Sequence, residues 1–200
     1  MTHVALFHSV LGMRPGMLDA VGRLRRQGHE VVAVDQYDGR VFDDYAEADT
    51  FARQIGFPEL MRRAVEAVKT LPDGFVCVGF SNGGGMAEHV ATQRSVAGVV
   101  MCSGALPLQM IGVDAWPAGV PAQIHQTSGD PRRHQGWAEM VAESVSAAGG
   151  RVELFTYPGT GHLFTDATLP NEYDPDATEL FWQRVYAFCE QHAEGAHRAN

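Results

Sequence analysis

Lysine is almost missing from the sequence: Lys69 is the only one among 15 basic residues, and the others are arginine. Set against 24 acidic residues, this leaves a formal charge of −9. That sign works against a nucleic-acid surface and against attraction to an anionic membrane, so neither partner is expected. Cysteine is scarce as well. Cys77, Cys102 and Cys189 are too few and too scattered for a disulfide framework, and they lack paired metal-ligand spacing. No metal or organic cofactor is expected, and a reducing, cytoplasmic setting is the simplest expectation. No apolar run approaches the roughly 20 residues that would span a bilayer. The short apolar stretch from Met1 to Leu11 has no basic leader and no small-residue cleavage site, so it reads as a first strand. Repeats, linkers and low-complexity segments are lacking too.

What is there is a globular composition, with 45% apolar and 20% charged residues in 200. It excludes disorder and fibrous repeats, and a chain of this size buries about 70% of its unfolded surface. One domain is expected over residues 1–193, with a polar tail at 194–200.

Apolar periodicity alternates between strand and helix. Val4–His8, Val31–Val34, Phe75–Val78, Val96–Cys102, Ala122–Thr127 and Val152–Tyr157 are short buried runs. Val96–Cys102 is the longest, which marks it as central. Between them, apolar residues recur at helical spacing. Met17, Leu18, Val21 and Leu24 form one stripe, and Trp137, Met140, Val141, Val145 and Ala148 another. Residues 51–71 suit one helix or two, broken at Gly56-Phe57-Pro58. Residues 35–44 and 104–118 read as loop or irregular chain. Six or seven strands alternating with helices predict an open, mostly parallel α/β sheet covered on both faces, without a cap domain. In such sheets, sites form beyond the carboxyl ends of the strands.

At one such end stands Gly79-Phe80-Ser81-Asn82-Gly83, following a strand and opening a helix. That is the setting of a nucleophile elbow, where a serine on a sharp turn sits in a strained backbone conformation and glycines let neighbouring chain approach. The bland alternative is a Gly-rich turn or phosphate cradle, but neither a P-loop lysine nor a G-x-G-x-x-G fingerprint is present. A serine nucleophile needs a base and an orienting acid, in the chain order Ser, acid, His. His162 follows the last strand and fits the base. Asp130, after Thr127-Ser128-Gly129, fits the acid, with Asp114 as runner-up and helix capping as the bland role. Backbone N–H groups of Asn82 and Val10 are expected to form the oxyanion hole.

These residues resemble the dienelactone hydrolase family of α/β-hydrolases over nearly the whole chain. The elbow at 78–85, Val34-Asp35-Gln36-Tyr37 after the second strand, Tyr157-Pro158-Gly159-Thr160-Gly161-His162-Leu163-Phe164, and Asn171-Glu172-Tyr173-Asp174-Pro175 all resemble family segments, in family order. The best-known members use a cysteine where this chain has Ser81, and a glutamate where it has Ser9. The paired change implies an ordinary Ser–His–Asp mechanism. An arginine that binds the substrate carboxylate in that family is replaced by Asp166, which implies a neutral substrate. Ser9, Tyr37, Phe80 and Phe164 are candidate pocket residues. Trp137 fits a core stripe better, and Arg14, Arg53, Arg132 and Arg133 read as solvated surface residues.

The expectation is a shallow-pocketed serine hydrolase, monomeric or homodimeric, cleaving a small ester or lactone. The alternative is a hydrolase-fold module that binds a small molecule or protein without catalysis. A nucleotide- or flavin-binding protein is disfavoured by the missing phosphate fingerprint.

Overall fold

The computed structural model describes residues 1–193; the expected tail at 194–200 lies outside them. The elements in chain order are β1 (His3–Phe7), α1 (Pro15–Arg26), β2 (Glu30–Val34), α2 (Tyr45–Ile55), α3 (Phe57–Ala67), β3 (Phe75–Phe80), α4 (Asn82–Gln93), β4 (Val96–Cys102), a 3-10 turn at Leu108–Ile111, β5 (Ala122–Thr127), α5 (Trp137–Ala147), β6 (Val152–Tyr157) and α6 (Pro175–Ala193). The six strands form one sheet in the order β2-β1-β3-β4-β5-β6. Every pairing is parallel, so all six carboxyl ends point to one edge.

The strands at the centre are β3 and β4, and both are buried nearly throughout, as their continuous apolar runs require. Alternation sorts their side chains to two faces. Val76, Val78, Phe80, Val100 and Cys102 pack against α1 and α6, through Met17, Val21, Leu24, Phe181, Trp182 and Val185. Cys77, Val99 and Met101 face α3, α4 and α5, through Leu60, Ala64, Met86, Val90, Val141 and Val145. Burial of this kind is worth roughly 25 cal/mol per Å² of apolar surface and is the main stabilising term. Edge strand β6 is buried only at Tyr157.

Two stripe positions differ from expectation. Leu18 and Met140 are 57% and 48% exposed. Each adjoins a residue already on the buried row, and 3.6-residue periodicity turns one of two neighbours outward. The other difference is α2, which starts at Tyr45 inside a polar stretch. Its signal is a cap: the Asp44 side chain accepts from Glu47 N at 2.9 Å. Gly56, at φ 87°, then breaks α2 from α3, and Pro58 sits in the first turn of α3. Among the described residues, no helix is long and apolar enough to cross a membrane.

Candidate active site

Four strands deliver residues to the shared edge. Ser81 follows β3, Asp130 lies three residues past β5, His162 five past β6, and Val10 three past β1. Ser81 has φ 53° and ψ −119°, a conformation that costs a side-chain-bearing residue of order 1–3 kcal/mol. The surroundings over-determine it. Its N–H donates to Cys102 O at 2.7 Å, and its carbonyl accepts from Gly84 N at 2.8 Å. A Cβ on Gly79 would stand 2.0 Å from Gly83 O, and one on Gly83 would stand 2.3 Å from Phe7 O. Only glycines allow the turn to close this tightly against β1 and against itself.

The structure brings Ser81, His162 and Asp130 together. His162 Nε2 lies 2.7 Å from Ser81 Oγ, and His162 Nδ1 lies 2.7 Å from Asp130 Oδ2. With Asp130 accepting at Nδ1–H, Nε2 is left to accept the Ser81 proton. His162 and Asp130 are both buried. The remaining Asp130 oxygen accepts from Arg132 N at 2.8 Å and closes a turn; it caps no helix, because α5 begins only at Trp137, after Gly136. The acid and base loops are stitched to each other as well. Gly129 N donates to Gly159 O at 2.8 Å, and Thr127 Oγ1 donates to Gly161 O at 2.8 Å. Asp114 lies on the segment after the 3-10 turn and lines no part of this site.

Ser81 and His162 open into a cavity of about 530 Å³, and Val10 and Asn82 line it beside them. Asn82 is the first residue of α4, where helix N–H groups have no partner within the helix and point outward. The arrangement can therefore deprotonate a hydroxyl and receive negative charge on an oxygen held near Val10 and Asn82. The expected shallow pocket is instead a substantial cavity. Its walls come from α2, α3, the 103–110 segment and the start of α5. Phe57, Leu60, Leu106, Met110, Ile124 and Trp137 are among its apolar lining residues. His125 also lines it, and burial pushes its pKa down to about 3, so it is neutral there.

Four expected pocket residues are not in the cavity. Ser9, Tyr37, Phe80 and Phe164 are each no more than 1% exposed and lie in the layer beneath. Ser9 Oγ accepts from Leu11 N at 3.2 Å and shapes the loop that carries Val10. Tyr37 packs on His8, Phe42 and Phe51. Phe80 alternates with Ser81 toward the opposite sheet face, against Phe181 and Trp182. Phe164 joins the same cluster through Tyr157 and Phe181. Trp137 moves the other way: it lines the cavity, stacked on His134 with ring centroids 3.8 Å apart.

The charges are corrected too. Asp166 is 1% exposed, with its carboxylate packed where a side chain on Gly16 would be, and Arg14 Nε lies 3.5 Å from it. It does not face the cavity, so it gives no ground for a neutral substrate. Arg14 is buried, donating to Phe42 O, Asp43 and Thr168 Oγ1. Arg53, Arg132 and Arg133 line the cavity. Arg132 is held by Asp49 at 3.0 Å and lies over the Tyr45 ring at 4.2 Å. These positions were unreadable from spacing because each wall comes from a different segment.

Residues 2–193 match the model of the dienelactone hydrolase family. Solved structures similar to this chain include a dienelactone hydrolase-like promiscuous phosphotriesterase from metagenomic libraries, at 20% identity over 96% of this chain and 86% of that one, TM-score 0.78. A dienelactone hydrolase from Anabaena variabilis matches at 17% identity over 96% and 86%, TM-score 0.68. The alpha/beta hydrolase domain-containing protein 10 from mouse matches at 11% identity over 94% and 90%, TM-score 0.68. At these identities the likeness is one of fold. No curated protein matches the chain by sequence.

Proposed function

The chain belongs to the dienelactone hydrolase family, and from that premise we propose that it cleaves a small ester or lactone through an acyl-enzyme on Ser81. His162 Nε2 takes the Ser81 proton as Oγ attacks the carbonyl carbon. Asp130 holds the imidazole in the Nδ1–H tautomer and stabilises the imidazolium, remaining ionised itself. The carbonyl oxygen, now an oxyanion, is received by the Val10 and Asn82 N–H groups. Collapse of the tetrahedral species breaks the ester bond, and His162 returns its proton to the leaving alkoxide. Water, deprotonated by the same imidazole, then attacks the acyl-enzyme and frees the acid and Ser81 Oγ.

The observation that carries this reading is the continuous relay Ser81 Oγ, His162, Asp130, with 2.7 Å at both joints. A turn glycine motif or a capping aspartate alone would not produce it. The three cysteines are free and buried, which suits the cytoplasmic setting we attach to this proposal. The test is hydrolysis of a panel of short acyl esters, lactones and thioesters by the wild-type chain and by Ser81→Ala. Turnover of an ester or lactone that Ser81→Ala lowers by at least about 10³-fold supports the proposal. Equal turnover by both would overturn it.

A further inference from the structure

Two half-buried residues outside the cavity enclose the base loop, and the relay does not use them. Glu172 touches the chain on both sides of His162. Its carboxylate accepts from Leu163 N at 2.6 Å, and its own carbonyl oxygen stands 1.9 Å from where a Cβ on Gly161 would be. Tyr45, the first residue of α2, then fixes Glu172: its hydroxyl donates to the two carboxylate oxygens at 3.0 and 3.1 Å. The Tyr45 and His162 rings meet in a T-shaped arrangement, with centroids 6.1 Å apart. Arg132 lies over the Tyr45 ring and returns the connection to Asp130, because its backbone N–H donates to that carboxylate. A closed circuit results, running from Asp130 to His162, Leu163, Glu172, Tyr45, Arg132 and back to Asp130.

We infer that Glu172, held by Tyr45, is a positioning residue for His162, clamping residues 161–163 so that the imidazole meets Ser81 and Asp130 at once. The inference rests on the proposed hydrolase reading for its effect on rate, and on geometry alone for its effect on the ring. The chemistry favours a carboxylate at 172. It offers enough lone pairs for a backbone N–H and a phenol together, and charge-assisted hydrogen bonds are the stronger kind. Burial, with the Glu172 carboxylate adding to it, pushes the Tyr45 hydroxyl well above the usual phenol range, so it stays a donor at working pH. Loops of this kind matter because displacement by about 1 Å at a base can cost on the order of 10²-fold in rate.

The experiment compares Glu172→Ala, Glu172→Gln and Tyr45→Phe with the wild type in two readouts. One is hydrolysis of a neutral p-nitrophenyl ester. The other is the low-field proton resonance of the His162–Asp130 hydrogen bond. Neither Glu172 nor Tyr45 lines the cavity. Glu172→Ala should therefore lower kcat by about 10- to 100-fold with KM changed less than about threefold. Its low-field resonance should broaden or vanish as the ring exchanges. Glu172→Gln, which keeps an acceptor for Leu163 N, should restore the resonance and recover most of kcat. Tyr45→Phe should fall between Glu172→Gln and Glu172→Ala in both readouts. Folded variants with wild-type kcat and an unchanged resonance would overturn the inference. If Glu172→Ala does not fold, Tyr45→Phe and Glu172→Gln decide: a Tyr45→Phe variant identical to wild type in both readouts overturns it. If the wild type hydrolyses no ester yet the resonance still responds, the hydrolase reading falls and the positioning role stands.

Discussion

The elbow at Ser81 and the wall facing it, 103–110, touch each other but are held by different means. The elbow is fixed by backbone against backbone. Gly79, Gly83 and Gly84 leave room for Gly83 O, Phe7 O and Gly104 O, at distances no side chain would tolerate. The wall hangs on a side chain: Leu106 N donates at 2.9 Å to Glu88, a glutamate wholly buried on α4. Burial raises the Glu88 pKa well above its ordinary value, and one of its oxygens has no partner. The serine sits on rigid main chain, whereas the pocket wall is tied to β5 only at its start, by Ser103 N donating to His125 O at 2.7 Å, and beyond that to α4 through the Glu88 side chain.

The largest losses are expected at the rigid side. Asp130→Asn should leave the fold intact but free the imidazole to take the wrong tautomer, lowering kcat by about 10³–10⁴-fold. Steady-state kinetics with the Tm as control checks it. Next in size is Gly84→Ala, whose Cβ would stand 1.7 Å from Gly104 O. Neither backbone yields readily, so a destabilisation of about 3 kcal/mol is expected by urea unfolding. A loss under about 1 kcal/mol would mean the elbow is softer than described.

Smaller effects are expected from the wall. Leu106→Ala enlarges the cavity without touching the relay. It should raise the hexanoate-to-acetate ratio of kcat/KM by about tenfold and leave the acetate kcat nearly unchanged. Smallest is the anchor. A glutamate in the unfolded chain ionises near 4.5, and in the folded protein Glu88 stays protonated well above that. Between these limits the folded state binds the extra proton, so stability falls as pH rises. Glu88→Gln removes that titration. The Tm of the variant relative to wild type should therefore climb as the pH rises above the ordinary glutamate range; a pH-independent difference would show that Glu88 does not titrate this way.

Local pattern made one part of the molecule readable in advance. Ser81, Asp130 and His162 each stand just past a strand, and strand ends are visible as the close of apolar runs. Parallel topology then carries all three to one edge. The cavity was not readable for the complementary reason. Phe57, Leu106 and Trp137 meet only through tertiary packing, and Trp137 sits at the rim of a stripe that otherwise looks like core. Burial misled in the opposite sense: Phe80 adjoins Ser81 and Tyr37 follows the carboxyl end of β2, but alternation and core packing turn both beneath the site. Glu172 and Tyr45 carried weak signals. The first lies in a segment resembling the family, and the second follows Asp44, whose cap with Glu47 marks a helix start inside a polar stretch.

The central claim is that Ser81 is a nucleophile activated by His162. Incubation with a fluorophosphonate probe, followed by mass spectrometry of the digested protein, tests it directly. One adduct is expected, on Ser81, lost in Ser81→Ala and formed far more slowly in His162→Ala. No adduct on the folded wild-type chain, or an adduct on another residue that persists in Ser81→Ala, would contradict it.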